Sequence, residues 1–100
     1  MKPVAFHPDA EAELDGAVAY YEGQREGIGL DFQAEAEHAI GMIQRNPLWC
    51  PRYKETNYRK CVLRKFPYTI FYMERDDSVW IAAVAHQKRR PDYWENRTPE

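Results

Sequence analysis

The residues best able to do chemistry gather near the end of the chain. In AVAHQKRRPDYW, residues 83–94, small apolar residues lead into His86, then Lys88, Arg89 and Arg90, and past Pro91 to Tyr93 and Trp94. Histidine changes charge nearest neutral pH, so His86 could move a proton, and Glu55 could complete a general acid–base pair with it. Lys88, Arg89 and Arg90 could hold a phosphate or an acidic protein surface. Tyr93 and Trp94 beside them are residue types in which interface binding energy concentrates. Each also has a plainer reading. A lone histidine at a strand end commonly donates to a backbone carbonyl, and a cationic cluster keeps a strand end from pairing with its neighbours.

Charge is divided unevenly along the 100 residues. The first fifty carry three Lys/Arg against nine Asp/Glu, and the second fifty carry eleven against seven. Between residues 52 and 65 stand Arg52, Lys54, Arg59, Lys60, Arg64 and Lys65, with Glu55 as the sole acid. Such asymmetry points to one face made for an anionic partner and another that is merely solvated. Two cysteines, Cys50 and Cys61, lack paired-ligand spacing. They could in principle form one disulfide, but without a secretory signal the better reading is two reduced thiols in a cytoplasmic protein, with neither a metal site nor a cofactor expected. MKPVAFHPDAEAEL has no long apolar core of a signal peptide, and no apolar run approaches the ~20 residues that span a bilayer.

The elements that must position these residues follow from periodicity. Pro3 to His7 alternates as a short strand. Pro8 suits the first turn of a helix, and Asp9, Glu11 and Glu13 favour the positive end of its dipole. Ala10, Leu14, Ala17, Val18 and Tyr21 mark one face of a helix from about Pro8 to Gln24. Gly27 and Gly29 interrupt it. A second helix from near Leu30 places Phe32, Ala36, Ala39, Ile40 and Ile43 inward and ends at Asn46-Pro47. The aperiodic LWCPRYKETN is a loop. Three strands follow, Tyr58–Lys65, Tyr68–Arg75 and Ser78–His86, joined by short turns. This order predicts one α+β domain over residues 1–100, with a flexible tail from about residue 95. In it an antiparallel two-helix hairpin packs on one face of a largely antiparallel sheet of about four strands, including the N-terminal one. In the first long strand Cys61 and Leu63 share one face, and Tyr58, Lys60, Val62 and Arg64 the other. A dry side and a basic, partly open side are expected, with Trp49 and Trp80 as core or loop anchors.

HPDAEAELDGAVAYYEGQ, GIGLDFQAEAEHAIGMIQRNP, RKCVLRKFPYTIFY and AVAHQKRRPDYW, in this order, resemble the RelE/ParE superfamily of small bacterial toxins. The resemblance covers about Val4 to Trp94. RKFPYTIFY and the H-x-x-R-x-P-x-Y-W arrangement of His86, Arg89, Pro91, Tyr93 and Trp94 are typical of its ParE-like branch of plasmid stabilisation proteins. It implies the toxin of a type II toxin–antitoxin pair, silenced by a cognate antitoxin that wraps it. RelE-like members cleave messenger RNA in the ribosome, where cations hold the scissile phosphate and a side chain activates the ribose 2′-hydroxyl. Thr69, Val62 and Gln87 stand where that branch carries cations, whereas Lys60 and Tyr93 match. ParE-like members instead bind DNA gyrase and trap it on cleaved DNA, which needs a surface and no catalytic centre. The resemblance therefore implies a gyrase-binding toxin with Arg59, Lys60, Arg64, Lys65, Arg89, Arg90, Tyr93 and Trp94 as contacts to target or antitoxin. The alternatives are an endoribonuclease using Glu55, His86 and Tyr93, and an inactive relative acting only with its antitoxin.

Overall fold

Among the described residues, two helices and four strands follow in the order β1 (Val4–Phe6), α1 (Pro8–Gln24), α2 (Ile28–Arg45), β2 (Arg59–Val62), β3 (Tyr68–Glu74) and β4 (Val79–His86). The computed structural model describes residues 1–99. His7 caps α1: its Nδ1 accepts from the Asp9 N–H at 3.0 Å, and Pro8 occupies the first turn. Gly27, at φ +94°, makes the turn into α2, a conformation that costs a glycine almost nothing. Glu22 then bridges the two helices, accepting from the Gly27 and Gly29 N–H groups at 2.9 Å each. These are two of the donors a helix start leaves unpaired. α2 buries Phe32, Ala36, Ala39, Ile40 and Ile43, the inner face its periodicity predicts.

The sheet order is β1-β4-β3-β2, with β1 parallel to β4 and the other pairs antiparallel. Both helices cover one face. There Cys61, Leu63, Ile70, Tyr72, Val79, Ile81 and Val84 join the helical side chains in the main core. Phe32 lies at its aromatic centre, with ring centroids 5.1 Å from Phe66, 5.1 Å from Tyr68 and 5.4 Å from Tyr21.

β4 departs from strict alternation. Phe71 pairs with Ala83 and Tyr72 with Ile81, so Ala82 is an extra residue and the phase of the strand reverses there. Val79 and Ile81 face the helices before this bulge and Val84 after it; Trp80, Ala83 and Ala85 face the other way.

That other face, expected to be basic and partly open, carries more apolar cover than alternation alone predicts. Tyr53 and Tyr58 from the loop, with Tyr93 and Trp94 from beyond β4, fold over Phe71, Met73 and Trp80 as a second apolar layer. Trp94 is only 3% exposed, its ring stacked on Phe71 with centroids 4.6 Å apart. It is a core residue that supports this face from within and is not the exposed contact expected of it. Trp49, expected as an anchor, is instead 46% exposed. The segment expected to be loose from about residue 95 is fastened at Arg97, which bonds Glu13 and the Ala82 carbonyl.

Candidate functional site

On the second face, the turn after β4 and the β2–β3 strands enclose a shallow cleft of about 200 Å³. Val62, Thr69 and Phe71 form its floor, Tyr53, Tyr93 and Trp94 one wall, and Lys60, Arg89 and Arg90 its basic rim. The ion pairs among the described residues are Lys2–Glu74, Lys54–Asp92 and Arg97–Glu13, so none of the three rim cations has a carboxylate partner there. Arg89 lies with its guanidinium carbon 3.9 Å from the centre of the Tyr93 ring, a cation–π contact that holds the charge at the rim. Asp92, the acid in the cleft, is already engaged by Lys54 at 2.7 Å and by the Tyr53 hydroxyl. These bonds hold its carboxyl below the ordinary value, Lys54 contributing most, and the Asp92 bond, followed by burial, raises the Tyr53 phenol.

The groups nominated for catalysis are not assembled as a catalyst. His86 Nδ1 accepts from the Lys88 N–H at 3.0 Å, capping the turn that follows β4, and its ring packs edge-on against Tyr68. The expected backbone bond exists, but with histidine as acceptor. Tyr93 directs its hydroxyl away from the cleft, donating to Glu13 Oε2 at 2.7 Å. Burial first, and the adjacent carboxylate second, push its phenol far above the ordinary value, so it holds its proton. Glu55 is exposed in the turn between Lys54 and Asn57 and lies outside the cleft. Among the described residues no group of three or more His, Cys, Asp or Glu is disposed to hold a metal ion.

The residue that sequence reasoning missed is Glu13. One oxygen accepts from the Val84 N–H at 3.0 Å and from Arg97 at 3.0 Å; the other accepts from Tyr93 and, at 2.9 Å, from Arg97. β1 ends opposite Ile81, leaving the remaining edge of β4 bare. Glu13 satisfies the Val84 N–H that no strand pairs, and Arg97 satisfies the Ala82 carbonyl at 2.9 Å. The charged pair thus seals the strand edge and anchors the segment carrying Arg89, Arg90 and Tyr93.

The other nominated cations separate from this cleft. Arg59 is half-buried and donates to the Cys50 carbonyl at 2.8 Å, so it braces the loop. Arg64 and Lys65 lie beside a second groove of about 910 Å³ between α2 and β2, which Lys60 also lines. Their backbone N–H groups bond Glu35 Oε2, at 2.7 and 3.2 Å, leaving their charges outward. Cys61, Leu63, Ala39 and Phe66 floor this groove, and Asp31 and Glu35 line its α2 side. β2 is an edge strand, and Val62 on it is 53% exposed. Edge backbone and apolar surface beside cations can accept an extended segment of another chain.

A two-helix hairpin on one face of a four-stranded mixed sheet, with a basic-rimmed cleft on the other, defines a small α+β domain. The same architecture occurs in a solved structure described as the chromosomal ParDE TA system from P. aeruginosa, at a TM-score of 0.74 and 16% identity, covering 86% of this chain and 96% of that one. The family of ParE toxins of type II toxin–antitoxin systems, parDE, matches residues 4–91, and the chain belongs to it. No curated protein matches the sequence.

Proposed function

We propose that this ParE toxin acts by docking on DNA gyrase in the cytoplasm and is neutralised by a cognate antitoxin laid along the α2–β2 groove. One observation carries the reading: Lys60, Arg89 and Arg90 rim a shallow cleft without ion-pair partners, while His86 and Tyr93 are committed to fixed internal bonds. At about 200 Å³ the cleft is smaller than the roughly 300–1,000 Å³ typical of sites that enclose a small molecule. An acidic protein surface suits it better, because unpaired rim charges steer association and fix orientation without needing deep burial. The antitoxin supplies the complement to the other groove. An extended segment adding at the Val62 end of β2, beyond the loop bonds at Tyr58 and Lys60, covers Val62, and acidic residues on it meet Lys60, Arg64 and Lys65.

Purified protein added to gyrase and plasmid tests the reading. Inhibition of supercoiling with accumulation of cleaved plasmid, relieved by the co-expressed antitoxin, is the expected result. Absence of any effect on gyrase, together with cleavage of messenger RNA on programmed ribosomes, would replace it with the endoribonuclease reading.

A further inference from the structure

Two thiols lie across from one another where the loop returns alongside β2. The Lys60 N–H donates to the Pro51 carbonyl at 3.1 Å, the Tyr53 N–H donates to the Tyr58 carbonyl at 2.8 Å, and Arg52 bridges Arg59 antiparallel. This register continues one step to place Cys50 opposite Cys61. Since 51/60 is a hydrogen-bonded position, 50/61 is a non-hydrogen-bonded one, where Cα atoms stand about 4.5 Å apart and side chains approach most closely. Disulfides accept Cα separations of roughly 4.4–6.8 Å. Both side chains point into the main core and both line the α2–β2 groove. The backbone around Cys50 is held independently: its N–H donates to the Tyr72 hydroxyl at 3.4 Å and its carbonyl accepts from Arg59.

From this register we infer that Cys50 and Cys61 form a peroxide-oxidisable dithiol, closing to a disulfide within the native fold and fixing the wall of the α2–β2 groove. Hydrogen peroxide oxidises the Cys50 thiolate to a sulfenic acid, one peroxide oxygen going to sulfur and the other leaving as hydroxide, which takes up the thiol's proton as water. Cys61 sulfur then attacks the Cys50 sulfur, the S–S bond forms, and the hydroxyl leaves with the Cys61 proton as a second water. Two thiols and one peroxide thus become one disulfide and two waters. Burial, and then the neighbouring Cys50, push the Cys61 thiol up to about 12, which disfavours Cys61 as the first sulfur to meet peroxide. The closed ring spans residues 51–60 and ties Trp49 and the loop to β2. The inference does not depend on what occupies the groove.

The full-length protein treated with a small excess of hydrogen peroxide provides the test. Intact mass should fall by two hydrogens, peptide mapping should join Cys50 to Cys61, and dithiothreitol should restore both thiols. Circular dichroism should stay native, and Tm should rise as the unfolded chain loses loop entropy. Cys50→Ser should instead gain oxygen on Cys61 or remain unmodified. Oxygen addition without hydrogen loss in the wild type, covalent dimers in place of the internal bond, or thiols that react only after unfolding would overturn the inference.

Discussion

Glu13 does more for the candidate site than any cation on its rim, because its two oxygens serve Val84, Tyr93 and Arg97 together. With its side chain 16% exposed and that of Arg97 14%, the pair is screened from most solvent. Glu13→Ala strands a guanidinium, a hydroxyl and a strand N–H, and should cost about 2–4 kcal/mol in urea unfolding, where an exposed pair would cost at most about 1. Tyr93 adds a pH dependence. The native state raises its phenol above the ordinary value of about 10, so the native chain keeps a proton that the unfolded chain releases. Its contribution is fully present below pH of about 10 and should decline as pH rises beyond it; Tyr93→Phe should flatten that decline in thermal melts taken across the alkaline range. The sequence displayed the rim residues but not this support. His86, Arg89, Arg90 and Tyr93 are neighbours in the chain, whereas Glu13 lies far away on the flank of a helical stripe, where an acid normally reads as solvated.

Among the elements, the helices and hairpins were legible because their periods are long and their ends are marked. Pro8, Gly27 and Asn46-Pro47 bound α1 and α2, and the short turns between β2, β3 and β4 leave little choice of partner. The bulge at Ala82 was not legible. In AAVA every residue is small and apolar, so nothing signals which one is extra, yet it decides which side chains face the helices. The α1–α2 crossing carries its own sharp constraint. A Cβ on Gly29 would lie 2.5 Å from the Val18 carbonyl oxygen and 2.7 Å from Glu22 Cβ. Alanine gains up to about 1 kcal/mol of helix propensity over glycine, but overpacking against backbone costs about 1–3 kcal/mol, and here the nearest atom is a backbone oxygen that cannot swing aside. Gly29→Ala should therefore lower Tm by several degrees in calorimetry, with native circular dichroism at low temperature.

At the scale of the whole molecule, charge and packing divide the labour. A radius of gyration of 13.0 Å equals the roughly 13 Å of a compact 100-residue domain, as befits a C-terminal segment folded back on the sheet. No helix of the described residues is long and apolar enough to cross a membrane. The second face could not be read from alternation, because its cover comes from aperiodic segments: Tyr53 and Tyr58 on one, Tyr93 and Trp94 on the other. That cover consumes the rings and leaves the charges, which is why the site is a basic rim around an aromatic support. In the function proposed here, this rim docks a macromolecule and performs no bond cleavage. A gyrase supercoiling titration comparing the wild type, the Arg89→Glu/Arg90→Glu double variant and Tyr93→Phe tests it most directly. The wild type should inhibit, the double variant should need at least about tenfold more protein, and Tyr93→Phe should stay within about threefold of wild type, since its hydroxyl serves Glu13. A wild type without effect on gyrase, or inhibition lost in Tyr93→Phe and retained in the double variant, would contradict it.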